Sequence, residues 1–229
     1  MKNLFKKLSL ILMSTLLTTS LMMNGNSTLV KANTLSEGEI PNVITNKIDI
    51  NNPSENITVS EPMTYDEIAN QLAKDKGITL LEAKTELGYK NPIKARAAGN
   101  GAYYRTFGAT VTVNSGYKVG VNFYCSTQEW GNRIGIVEVL SVSMNRNYNG
   151  TVKLFGGSIY TNLENANTLY FEVNGDFYNK GTISTNGKIS YKNGDKTTFE
   201  FGLSYSSNYY AYVYKTGRYY VDKRDVTWN

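Results

Sequence analysis

The chain has 229 residues, 41% apolar and 19% charged, with a formal net charge of +5 and no histidine. The missing histidine excludes Ser-His-Asp and Cys-His catalysis and His-ligated metals. The single cysteine, Cys125, excludes an intramolecular disulfide and a thiolate zinc cluster, and no Gly-rich phosphate motif supports nucleotide chemistry.

The first element is a targeting signal. Lys2, Lys6 and Lys7 precede an apolar run from Leu8 to Met23, and a polar stretch leads to Val30-Lys31-Ala32. This is the three-part pattern of a secretory signal peptide. The run falls short of the roughly 20 residues that span a bilayer. We therefore expect a signal peptide over 1–32, a mature chain starting at Asn33, and no transmembrane anchor. The protein is expected to be secreted, either released or held at the cell surface non-covalently. Residues 1–32 carry +4, residues 33–98 carry −3 and residues 99–229 carry +4. The mature chain is thus almost neutral and shows no basic patch, so no nucleic-acid partner is expected.

Residues 33–62 hold Pro41, Pro53 and Pro62 and no aromatic residue. Such a composition buries too little to offset ordering entropy and predicts a disordered linker. Residues 63–89 predict a helical hairpin. Thr64 with Glu67, and Thr79 with Glu82, form two capping boxes. Ile68 and Leu72, then Leu80, Ala83 and Leu87, recur at helical spacing, and Gly77 and Gly88 stop the helices. The expected helices are 64–76 and 79–87. The segment is acidic, which repels phosphate, and it suits docking on the C-terminal domain or on a partner. Residues 90–99 predict a second linker; Lys94 and Arg96 among small residues suit a protease, and the alternative, which the composition favours, is a plain linker.

Residues 100–229 form the predicted β domain. Sixteen of the 18 tyrosines and both tryptophans lie there, with no proline. About nine strands separated by Asn/Gly turns predict an antiparallel β-sandwich or barrel. Expected strands are 102–113, 117–125, 133–145, 151–161, 168–178, 181–191, 196–206, 208–215 and 218–226. Asn186-Gly187 reads as a type I′ hairpin between Ile183 and Ile189. In 133–145, Ile134, Ile136, Leu140, Val142 and Met144 form the apolar face.

Candidate binding residues come from two places. In 208–215, Ala211 and Val213 suit the core, so Tyr210, Tyr212 and Tyr214 form a stripe on the opposite face. Such a stripe offers rigid apolar rings with hydroxyl tips, suited to glycan or protein. The alternative is that tyrosine is simply a good strand former. The second place is an expected loop over 126–133, where Glu129, Trp130 and Arg133 make the composition of a binding edge. There the alternative is a tryptophan folded back over the end of the sandwich.

No pair of carboxylates is marked for hydrolysis, so no catalytic residue is assigned. Glu138 shares a parity with Ile136, and points inward or sits at a bulge. Cys125 falls at a strand end, buried and without a base. No metal or cofactor is expected. The leading expectation is a non-enzymatic binding protein that recognises glycan, cell wall or a protein surface through aromatic side chains. The alternatives are a toxin- or bacteriocin-like protein with 33–98 as a pro-segment, and a small hydrolase using carboxylates.

The Asn- and Lys-rich composition resembles exported proteins of AT-rich Gram-positive bacteria. The order of parts, with Thr64–Glu67, Thr79–Glu82 and the Tyr/Gly-rich C-terminal region, resembles uncharacterised exported proteins of clostridia and bacilli. These carry a β domain of unknown function. No site residue transfers with that resemblance.

Overall fold

Alternating apolar residues build most of the molecule. A computed structural model describes residues 44–48, 57–88, 102–130 and 133–221. The expected signal peptide (1–32), the expected 90–99 linker and the side chains of Trp130 and Arg133 lie outside the described residues. The elements are β1 (Ile44–Ile48), β2 (Ile57–Val59), α1 (Tyr65–Lys76), α2 (Leu80–Glu86), β3 (Ala102–Asn114), β4 (Tyr117–Trp130) and β5 (Arg133–Asn145). They continue with β6 (Asn147–Tyr148), β7 (Thr151–Val152), β8 (Leu154–Asn165), β9 (Thr168–Asn193) and β10 (Lys196–Val221). The protein is mainly β with antiparallel sheets and two short helices before them, as the sequence predicts.

Sheet I has the order β2-β3-β4-β5, and sheet II contains β1, β10, β8 and β9. The two sheets share one core. Phe107, Val121, Phe123 and Val142 from sheet I meet Phe155, Phe171, Phe177, Phe199 and Val213 from sheet II. Phe123 and Phe171 rings lie 5.1 Å apart, and Phe171 stacks on Tyr219 at 5.2 Å. Each fully buried large side chain contributes roughly 1.5–3 kcal/mol.

Four sequence expectations are corrected. First, the predicted linker 33–62 contains two strands. β2 pairs with β3 and buries Ile57, and β1 pairs in parallel with β10. Strands this short, set among Asn, Ser and Pro, draw their stability from an edge supplied by distant sequence.

Second, Asn186-Gly187 does not reverse the chain. Asn186 pairs with Phe201 and Lys188 with Glu200, leaving Gly187 as an extra residue in a continuous strand. Its φ is +68, and a Cβ there would meet the Val142 carbonyl oxygen at 2.5 Å. Glycine serves a bulge and a close approach here, not a hairpin.

Third, the strands expected at 168–178 and 181–191 are one, β9, and those at 196–206, 208–215 and the start of 218–226 merge into β10, residues 222–226 lying outside the described residues. The two 26-residue arms form one hairpin, which bends. β8 pairs with the N-terminal half of β9 along one edge and with the start of β10 along the other. Register shifts near Leu203 and Tyr209 allow the bend.

Fourth, Leu140 packs under the helices rather than in the main core. Register shifts between β4 and β5 place it there.

The helices match expectation at their ends. Thr64 accepts from the Glu67 amide while the Glu67 carboxylate accepts from the Thr64 amide, and Thr79 and Glu82 repeat this. Ile68, Leu72, Ala83 and Leu87 bury against Tyr124, with Tyr104 and Leu140 alongside. Two helices this short are marginal alone; burial on sheet I holds them. Tyr124 donates to Asp75 at 2.5 Å, and Lys76 reaches Glu86 at 2.5 Å and the Gly187 carbonyl at 2.9 Å. Burial pulls the Lys76 pKa down, and the Glu86 carboxylate opposes that.

The caps carry a pH dependence. Hydrogen bonds from Thr64 and Thr79, backbone first, lower the pKa of Glu67 and Glu82 below 4.5. The unfolded carboxylates bind protons more readily, so this stability is present above the unfolded pKa and is lost as pH falls through the folded values. Amide protection factors over 64–88, taken relative to the intrinsic exchange rate at each pH, are therefore expected to fall selectively in acid. Thr64→Ala or Thr79→Ala should cost about 1 kcal/mol each at neutral pH.

Candidate functional site

The outward face of sheet II is built by strand alternation. In β9, Leu169, Phe171 and Val173 point into the core, so Tyr170, Glu172 and Asn174 point out. In β10, Val213 and Tyr219 are each 2% exposed, while Tyr212 is 54%, Tyr214 40% and Tyr220 36% exposed. In β8, Ile159 is buried beside Tyr160. Lateral pairing then sets Tyr212 beside Asp176, Tyr214 beside Asn174, Arg218 beside Tyr170, and Tyr160 beside Glu172.

Polar contacts hold these rings in place. Tyr212 donates to Asn174 at 3.0 Å, and Tyr170 donates to Glu172 at 2.5 Å. Burial, then the Glu172 carboxylate, pushes the Tyr170 pKa well up, so its hydroxyl stays protonated. The Arg218 guanidinium lies 4.8 Å over the Tyr170 ring and grips Glu164 with both ends, Nη2 to Oε1 being 2.8 Å. That grip lowers the Glu164 pKa and raises that of Arg218. Tyr160 sits edge-on to Tyr170 at 6.3 Å. The result is an open aromatic surface in which Tyr170 and Tyr212 are tied by hydrogen bonds, with hydroxyl, amide and carboxylate groups between the rings.

The expected outward orientation holds for Tyr212 and Tyr214 and is corrected for Tyr210. The register slips between Tyr209 and Ala211, making Tyr210 an extra residue. Its ring turns against the core, 5.8 Å from Tyr117, with Lys153 Nζ 3.6 Å above it. Its hydroxyl meets Asn114 at 3.1 Å.

In the second candidate place, residues 126–130 and 133 are strand rather than loop. β4 runs through Trp130 and β5 begins at Arg133. Glu129 is an ion-pair partner rather than a free binding group. It takes Arg105 Nε at 2.7 Å and Nη2 at 2.9 Å, inside the end of sheet I. Glu138 sits at a bulge, paired with Lys192. Cys125 is fully buried, and burial raises its thiol pKa strongly. Among the described residues no group of carboxylates and cysteine converges as a metal site. Sequence reading missed Tyr160, Tyr170 and Arg218, although alternation around Ile159, Phe171 and Tyr219 places all three outward; of the Tyr219-Tyr220 tandem, in which alternation exposes one ring, Tyr220 is the exposed one.

No family model, curated protein or solved structure matches this chain.

Proposed function

We propose that the protein is an exported, non-enzymatic binding module of a Gram-positive bacterium. Its contact surface is the tyrosine face of sheet II, and its favoured ligand is an extended cell-wall glycan. The observation that carries this reading is the exposure of Tyr212, Tyr214 and Tyr220 beside Tyr160 and Tyr170 on one continuous sheet face. Contiguous exposed aromatics are costly in water and mark contact surfaces. Ring faces stack on the apolar faces of sugars, while the hydroxyls, Asn174 and Asp176 suit sugar hydroxyls. An open face, rather than a pit, suits a polymer.

Export is supported by the signal-like N-terminal sequence; mass spectrometry of culture supernatant is expected to give a mature chain starting at Asn33. Binding is tested by co-sedimentation with isolated Gram-positive cell walls. Tyr214→Ala and Tyr212→Ala are each expected to weaken retention several-fold, since one stacked ring contributes on the order of 1 kcal/mol. Retention unchanged in the double variant rejects this surface.

A further inference from the structure

A separate cleft of about 360 Å³ opens where the last turn of α1 meets the edge of sheet I. Its polar lining includes Lys74 and Asp75 from α1, Asn122 from β4, Asn145 from the end of β5, and Arg146 and Asn147 just beyond it.

The hydrogen bonds around this cleft leave a surplus of donors. Asn145 Oδ1 accepts from the Asn147 amide at 3.0 Å, and Asn147 Oδ1 accepts from the Gly150 amide at 3.1 Å. Both side-chain oxygens are thereby taken, which fixes each amide's orientation and leaves its NH₂ group to donate. The turn responsible is Asn149-Gly150, with φ of 51° and 76°, so these asparagines are held by backbone geometry. Asp75 is the one carboxylate in the lining, and its oxygens are engaged by Tyr124 at 2.5 Å and Gln71 at 2.9 Å.

Arg146 is the odd group. It is half-buried, and burial lowers the pKa of its guanidinium. The ion pairs among the described residues use Lys76, Lys84, Arg105, Lys192 and Arg218, but neither Arg146 nor Lys74. A desolvated guanidinium outside any ion pair is costly, and its planar fork matches phosphate and carboxylate oxygens.

We propose that this cleft binds an anionic group, a phosphate or a carboxylate carried on a small polyol, through Arg146 and Lys74 with the Asn145 and Asn147 amides. The site is distinct from the tyrosine face and does not depend on it. Bound anion occupies Arg146, while the free amides take its remaining oxygens and neighbouring hydroxyls.

The test uses the whole mature chain and two probes, glycerol phosphate and glucuronate, followed by thermal unfolding and by side-chain amide NMR. Sodium chloride at matched ionic strength is the control. Wild-type protein is expected to gain Tm with one or both probes beyond the salt control, because a ligand that binds only the folded state stabilises it. The probe that acts distinguishes phosphate from carboxylate. The Asn145 and Asn147 amide signals should shift saturably.

Arg146→Met is expected to fold at least as stably as wild type without ligand, because it removes a desolvated charge. Its affinity should fall about ten-fold or more, the equivalent of one charge-assisted hydrogen bond. Lys74→Gln, at an exposed position, is a second variant whose fold is secure, and it should weaken binding less. The proposal is overturned if neither probe exceeds the salt control. It is equally overturned if Arg146→Met and Lys74→Gln both respond as wild type does.

Discussion

Arg105→Ala is expected to cost about 3–5 kcal/mol, the penalty typical of removing one member of a buried ion pair. Arg105 is 4% exposed. Its guanidinium forks onto both Glu129 oxygens and donates to the Ser60 carbonyl at 2.6 Å. Truncation strips the largely buried Glu129 carboxylate of that fork, leaving it the Thr127 hydroxyl, and takes a donor from the segment that follows β2. That segment also bonds β3 through the Ser60 amide and the Thr106 carbonyl at 3.0 Å, so β2 should loosen with it. Replacing both partners together, Arg105→Met with Glu129→Met, should cost less than the single change, because an apolar pair removes the desolvation problem. Urea unfolding with a double-mutant cycle measures this. A single change costing under 1 kcal/mol means that the pair is solvated and that β2 is held by other contacts.

Val213→Asp is expected to cost on the order of 5 kcal/mol, comparable with the whole stability of a typical domain. Val213 sits in the shared core, and a carboxylate there meets apolar side chains. Tyr212→Ala, one residue away, should cost about 1 kcal/mol or less, the worth of a cross-strand contact. The contrast is the expected result of strand parity, since neighbours face opposite sides. Denaturation midpoints of the two variants decide it. If Tyr212→Ala costs more than about 3 kcal/mol, that ring is covered and sheet II presents no open face there.

Strand parity was the most legible feature of the sequence. Short-range signals also read correctly: the capping boxes at Thr64 and Thr79 and the Gly77 stop all depend on residues within a few positions. What was not legible depends on partners far along the chain. β1 and β2 exist because β10 and β3 offer them edges. Gly187 looks like a hairpin turn locally, yet the Val142 backbone dictates its place. Tyr210 left the stripe because a one-residue slip in β10 reverses parity, and only the pairing with β9 shows the slip. Glu129 read as a free loop group because its partner, Arg105, lies on a different strand. The outward aromatic face was half legible: alternation marks its members strand by strand, but only the register of β8, β9 and β10 brings them side by side.

The central claim is that the tyrosine face of sheet II is the contact surface. Tyrosine-ring NMR on the mature chain, titrated with soluble cell-wall glycan fragments, tests it most directly. The rings of Tyr170, Tyr212, Tyr214 and Tyr220 are expected to shift together and saturably. Tyr103, exposed on sheet I, and Tyr219, buried beneath the face, should stay unchanged. Shifts confined to Tyr103, or no shift in any ring up to millimolar fragment, would contradict the account.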